Sequence, residues 1–374
     1  MKKLLLALCC MLLAAPVFCG QTVRVLLGEN LKNAQIKTSG LVHVYALGQG
    51  KKYKISKPQT LSVQLGGGKL HLGQLQTADA LVIEPAAGTQ LTFQKNAYTG
   101  KFYAVPNGKT FQLIEYTDME DYLLGVLPYE MSYSWPLEAL KAQAVAARTF
   151  TLMQLQARQK NKFDLYSDVR SQMYKGSGKV YDSVQKAVSG TKGQVLRYQG
   201  NLFNTYYHAN CGGGTDNVQI WAGPKAAAVK PLSGTSCAYD KHSKSYSWNA
   251  TVPAASVNQF VNKNGLAGSV KKIKVAKRTA TRRAETLEFT THKGKKTLSC
   301  AKFRLGVGAA LLKSCKITEI SKTGKGFAFA GHGFGHGIGM CQDGAYGMAK
   351  DGKNYKQILK KYYHGAKLTP LKED

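Results

Sequence analysis

The stretch from Asp118 to Phe150, DMEDYLLGVLPYEMSYSWPLEALKAQAVAARTF, limits the possible folds of this chain more than any other. It reads as two helices flanking one acid. Thr117-Asp118-Met119-Glu120 has the form of a capping box, so a helix can start there. Met119, Tyr122, Leu123 and Val126 give it a short apolar face, and Gly125 and Pro128 are expected to end it. A second helix is expected from Ser134-Trp135-Pro136, with proline tolerated in the first turn. Beyond Glu138 the chain is rich in alanine, leucine, lysine and glutamine, all strong helix formers. Alanines at 139, 142, 144, 146 and 147 leave little bulk, so another backbone can pack close. Lys141 and Arg148 are two turns apart and share a face.

Glu130 is expected between these helices, with Pro128, Tyr129 and Met131 around it. An acid in an apolar hollow has a raised pKa, because desolvation penalises its charged form. That suits a general acid at neutral pH. The same residues also fit a solvated loop carboxylate or a cap for the second helix.

These residues resemble the signature of the stage II sporulation protein D family, also called the amidase-enhancer family, of peptidoglycan lytic transglycosylases. The resemblance lies in Glu120 to Leu123, Gly125-Val126, Pro128, Glu130-Met131 and the run Trp135 to Thr149. It implies that Glu130 is catalytic. It also implies that Lys141 and Arg148 bind charged or carbonyl groups of the substrate, or hold the neighbours of Glu130 in place. Three later segments extend the likeness. Gln172, Tyr174 and Gly176 match a Gln-x-Tyr-x-Gly element; His208, Gly212, Gly213 and Thr215 match His-Ser-x-x-Gly-Gly-x-Thr, with Trp221 shortly after. The loop Gly331 to Ala345 matches a glycine-rich element through His336 and Gln342, with Cys341 in place of the usual serine. Gln172, Tyr174, His208, Gly212, Gly213, Thr215, His336 and Gln342 are therefore expected to line the substrate cleft.

Some members of the family hold zinc through cysteine and histidine in the segment that corresponds to residues 164–176. Tyr166, Arg170 and Ser171 stand there and make poor ligands, so no metal and no cofactor are expected. His208 and Cys211 have the spacing of half a metal site, and a tight turn with a packed histidine accounts for them equally.

Charge and compartment narrow the partners. The chain has 374 residues and a net charge of +31, from 52 Lys and Arg against 21 Asp and Glu. Such a surface seeks anionic polymers. Residues 1–19 read as a secretory signal: Lys2 and Lys3, then an apolar run from Leu4 to Phe18 that is shorter than the ~20 residues of a membrane span. Cleavage after Cys19 is favoured over lipidation of that cysteine, since Phe18 is too large for a lipobox. An exported protein meets peptidoglycan rather than nucleic acid, in the periplasm or cell envelope, with membrane contact through its N-terminus alone. The remaining cysteines, Cys211, Cys237, Cys300, Cys315 and Cys341, are odd in number; Cys211 with Cys237 and Cys300 with Cys315 are the disulfides suggested by proximity.

The expected fold is α+β: β-rich layers around the long alanine-rich helix, in two lobes with a central cleft. Residues 20–109 form an N-terminal β-rich region. Residues 110–374 form the catalytic region, a family core at 110–221 plus a C-terminal lobe carrying the glycine-histidine loop. The resemblance implies cleavage of glycan strands, stripped of their stem peptides, to 1,6-anhydro ends, with an amidase as partner. The alternatives are a hydrolytic muramidase, a binding module that activates an amidase without cutting, or a cysteine amidase using Cys211 or Cys341 with His336.

Overall fold

Along the strand Thr110–Asp118 the side chains of Phe111, Leu113, Ile114 and Glu115 are all fully buried, and this strand organises the first half of the chain. It pairs antiparallel with Thr22–Leu31 on one side and Lys101–Asn107 on the other. The sheet grows to seven strands, and a six-stranded antiparallel sheet packs with it, both feeding one apolar core. The computed structural model describes residues 20–223 and 228–371. The expected signal at 1–19 lies outside the described residues. With eight α-helices among these strands, the described chain is α+β, as the sequence implied. Among the described residues no helix is long and apolar enough to cross a membrane.

The strand Thr110–Asp118 runs directly into helix α1, Met119–Glu130. Asp118 caps it: its Oδ1 accepts the Glu120 N–H at 2.8 Å. The cap is thus one residue later than the expected box at Thr117. Two further expectations are corrected. Gly125 and Pro128 lie inside α1, and Glu130 is its last residue, not part of a separate loop. Packing overrides the local punctuation here. Met119, Tyr122, Leu123, Val126 and Leu127 are all buried, and that burial outweighs the missing proline N–H. Gly125 leaves no room for a side chain: a Cβ there would lie 2.5 Å from the Tyr174 ring and 2.6 Å from the Gly176 carbonyl.

Helix α2, Leu137–Ala157, is buried along most of its length. Its alanines let α1 and α3 (Asp182–Ser189) and the helices Gln342–Lys350 and Tyr355–Tyr362 come close around it. A second, separate core is built wholly from residues between Trp248 and Phe329. Three-stranded antiparallel sheets and two helices supply it.

Arg148 is fully buried in α2 and answers Glu120 in α1 through two hydrogen bonds, at 2.8 and 2.6 Å. A third bond goes to the Gln194 carbonyl at 3.2 Å. Burial leaves it no route to a substrate, which removes the first of its two expected roles. Its bonds are of the second kind, between the helices that carry and support Glu130. Truncating one partner of a buried, hydrogen-bonded pair costs roughly 3–5 kcal/mol. Arg148→Ala is expected to lower the unfolding free energy by that order. Glu120→Gln, at the more exposed partner, is expected to lower it less. Chemical denaturation followed by circular dichroism measures both.

Candidate active site

Glu130 is half-buried at the C-terminal end of α1. Its Oε1 accepts the Met173 N–H at 2.8 Å, and the Gln342 amide lies beside it. Burial raises its pKa above the ordinary carboxylate value, and the two donors oppose that only in part. The raised pKa expected from its neighbours is thus present, although the burial comes from the fold more than from Pro128 and Tyr129. Among the described residues no cation stands within ion-pair distance, and no second carboxylate acts on its ionisation. The acid is held by neutral groups.

Those groups come from far along the chain. Tyr207–His208 and Met340–Cys341 form a short parallel bridge. Successive side chains on a strand point to opposite faces, which sorts the neighbours. Tyr207 is buried within electrostatic reach of Glu130, while His208 turns to the other side. Past Cys341, Gln342 returns to Glu130 and also donates to the Gln143 side chain of α2 at 3.4 Å. Tyr122, on α1 itself, is a buried phenol near Glu130, and its hydroxyl has no hydrogen-bond partner among the described residues. Tyr129 and Tyr133, on either side of Glu130 in sequence, are 41% and 46% exposed. Tyr133 stacks on Tyr181, with ring centroids 3.9 Å apart.

Of the residues expected in the cleft, Gln342 is the one hydrogen-bonded to Glu130 among the described residues. Most of the others are buried in contacts within the fold. Tyr174 is 1% exposed and donates to Glu115 at 2.7 Å, so it lies behind the site. Gln172 is buried against the Ala147 carbonyl and Thr151 of α2. Thr215 is buried and hydrogen-bonds Thr235. The Gly212 and Gly213 N–H groups, expected to face a ligand, donate to Asn210 and Asp240 instead. Gly212 has φ +67°, and a Cβ there would meet His332. Lys141 pairs with Glu138 at 2.8 Å and sits near the Tyr355 ring, on the face of α2 toward α3. The buried Arg148 belongs to the same side.

His208 and His336 form their own group, with ring centroids 5.2 Å apart. His208 Nδ1 lies 3.1 Å from the Ile338 carbonyl, and His336 Nδ1 accepts the Ile338 N–H at 3.0 Å. Burial, with Arg304 and Arg283 nearby, pushes the His336 pKa down to about 3. Trp221 packs against this ring at 5.0 Å. No hydrogen bond or ring contact among the described residues joins either histidine to Glu130. Cys211 and Cys341 are fully buried, which leaves the cysteine-amidase alternative without an accessible nucleophile. All five cysteines are free, so neither expected disulfide is formed in this structure; Cys300 and Cys315 nevertheless lie side by side.

Sequence reasoning missed Met173, which acts through its backbone, and Gln143, Tyr122 and Tyr207, whose roles arise only on folding. It also missed Glu115, fully buried below the site, where it accepts from Gly100 N–H at 3.0 Å and from Tyr174. Burial pushes its pKa from an ordinary 4.5 up to about 7.

A model of the stage II sporulation protein family matches residues 107–198, and a model of a domain of unknown function (DUF8618) matches 227–339. An uncharacterized protein of Brachyspira hyodysenteriae is 35% identical over 293 residues, 78% of this chain and 77% of that protein. Stage II sporulation protein D of Bacillus subtilis is 30% identical over 305 residues, 78% of this chain and 84% of that protein. The amidase enhancer of Bacillus subtilis is 30% identical over 359 residues, and this chain spans 50% of its length.

Glu115 yields a signed pH dependence. Its proton is held more tightly in the folded chain, so between about pH 4.5 and 7 the folded state binds more protons than the unfolded one. Its contribution to stability is full below that window and falls as the pH rises through it, by roughly 3 kcal/mol in all. Glu115→Gln is expected to flatten this slope. Urea denaturation of both proteins at pH 5 and pH 8 checks it, and equal slopes would refute it.

Proposed function

The chain belongs to the stage II sporulation protein D family, and from that premise we propose that it cleaves the glycan strands of peptidoglycan by lytic transglycosylation. The observation that supports this most is the electrostatic isolation of Glu130. Hydrolytic glycosidases generally use two carboxylates flanking the scissile bond. Here one carboxyl group, with its pKa raised by burial and no acidic partner acting on it, is placed for proton transfer.

In the reaction Glu130 gives its proton to the glycosidic oxygen between N-acetylmuramic acid and N-acetylglucosamine, and that bond breaks. The C6 hydroxyl of the same muramic residue attacks its own anomeric carbon and closes the 1,6-anhydro ring. The Glu130 carboxylate takes the hydroxyl proton and is restored. Atoms balance without water. The Met173 N–H keeps the carboxyl oriented through both transfers. The exposed rings of Tyr129 and Tyr133 offer flat faces to neighbouring sugars. The cationic surface adds attraction to an anionic wall. Strands already stripped of stem peptides are the substrate, an amidase is the partner, and the protein acts after export to the cell envelope. Lys141, half-exposed and tied to Glu138, remains available for outlying substrate groups after a rotamer change.

The second reading is a binding module that activates an amidase without cutting. One relative is named amidase enhancer, and that name favours it.

Glu130→Gln keeps the shape and the bond from Met173 but removes the proton. Positioned proton transfer is worth ~10²–10⁴ in rate, so the variant is expected to be slower by that order on peptide-stripped strands. Its stability at pH 7 is expected to be unchanged or higher, because a neutral amide replaces an acid whose charge burial disfavours. Binding to insoluble peptidoglycan is expected to persist. A Glu130→Gln protein that releases anhydro-muramic fragments at the wild-type rate would sink the mechanism.

A further inference from the structure

Outside the Glu130 site, one cluster has no role in the proposed reaction. Cys211, Cys237, Cys341 and Asp240 are all buried, and one ligand atom from each lies within 4.8 Å of the other three. They come from three separate segments: the glycine turn after His208, the loop after Thr235–Ser236, and the start of the helix Gln342–Lys350. We propose that these four side chains form a closed site for one zinc ion, which fastens the three segments together. The proposal does not depend on the glycan-cleaving reading.

The geometry and donors fit that metal. Tetrahedral zinc with sulfur at about 2.3 Å places its ligand atoms about 3.8 Å apart, inside the observed spread. Three sulfurs with one carboxylate oxygen select a tetrahedral, borderline-soft ion over magnesium or calcium, which take oxygen alone. The surroundings suit thiolates. Cys341 Sγ accepts two backbone N–H groups, from Cys211 at 3.2 Å and Gly344 at 3.3 Å. Cys237 Sγ lies 3.2 Å from the Tyr362 hydroxyl. Donors of this kind orient metal-bound thiolates and spread their charge. Asp240 Oδ2 is held by the Gly213 N–H and the Cys211 thiol, each at 3.0 Å, while its buried Oδ1 has no hydrogen-bond partner among the described residues. Without a cation, a carboxylate is buried among three sulfurs, an expensive arrangement. On zinc binding the protons of all three thiols leave to solvent, and the unpartnered oxygen gains a reason to be there. Arg283, paired with Asp216 at 3.1 Å, donates to the Cys211 carbonyl at 2.9 Å and so fixes the backbone of that ligand.

A disulfide is the competing use of these sulfurs in an exported protein. It consumes two cysteines and leaves the third, with Asp240, unexplained. The site also differs from the half-site suggested by sequence spacing. His208 is not a member, because its ring turns to Ile338 and His336. Since Cys341 directly precedes Gln342, zinc here would fix the residue that flanks Glu130.

The test is metal analysis of the full mature chain, purified without chelator. One zinc per chain by elemental mass spectrometry is expected, released by a mercurial thiol reagent. Cobalt exchanged for it should give a sulfur-to-cobalt charge-transfer band. Cys237→Ser and Asp240→Asn should each lose most of the metal and lower the melting temperature, while Cys300→Ser, in the neighbouring thiol pair, keeps it. Should the variants fail to fold, the wild type still decides. Wild-type protein with no bound zinc after incubation with zinc under reducing conditions overturns the proposal. So does peptide mapping that finds a disulfide between any two of Cys211, Cys237 and Cys341 in the native protein.

Discussion

A guanidinium with no exposure to water must be matched inside the protein, and the match for Arg148 is Glu120. This pair crosses from the centre of α2 to the first turn of α1. It sets how α1 lies on the alanine-rich helix, and so where the far end of α1 presents Glu130. Taking two charges out of water is costly, and hydrophobic replacements of similar shape often stabilise such places more. What the pair supplies here is a fixed geometry. Along α1 the apolar side chains define which face is buried, and the ion pair defines the register at which that face sits.

The second constraint is the two-residue parallel bridge between Tyr207–His208 and Met340–Cys341. It joins segments more than a hundred residues apart and distributes their side chains by simple alternation. Tyr207 and Gln342 go to the acid, His208 to the second histidine, and Cys341 to the sulfur cluster. Three chemically distinct neighbourhoods therefore share one piece of backbone. Loosening any of them moves the others, which is why glycines in this region meet backbone atoms so closely.

Much of this was legible in the sequence, and the failures share a cause. The long alanine-rich helix and the short strands of residues 20–109 could be read from propensity and alternation, and the raised pKa of Glu130 from its apolar neighbours. Gly125 and Pro128 could not be read correctly, because local punctuation says nothing of a core that holds the helix together past them. Lys141 and Arg148 share a face, as spacing predicted, but spacing cannot tell whether that face meets solvent or another helix. Tyr174, Gln172 and Thr215 lie on recognisable motifs and yet are buried. In these segments the matching residues hold the backbone that supports the acid. The cysteine cluster was invisible for a different reason. Its members are separated by stretches from two residues to about a hundred, and no spacing rule spans such gaps.

The central claim is that one carboxyl group, isolated from other charges, breaks the strand without water. Digestion of peptide-stripped glycan in water enriched in heavy oxygen, followed by mass spectrometry of the fragments, tests it most directly. The account predicts fragments one water lighter than hydrolysis products, with no heavy oxygen incorporated at the new ends. Reducing ends that carry the heavy label would contradict it and establish a hydrolase, and undegraded strands would contradict it in favour of a binding module.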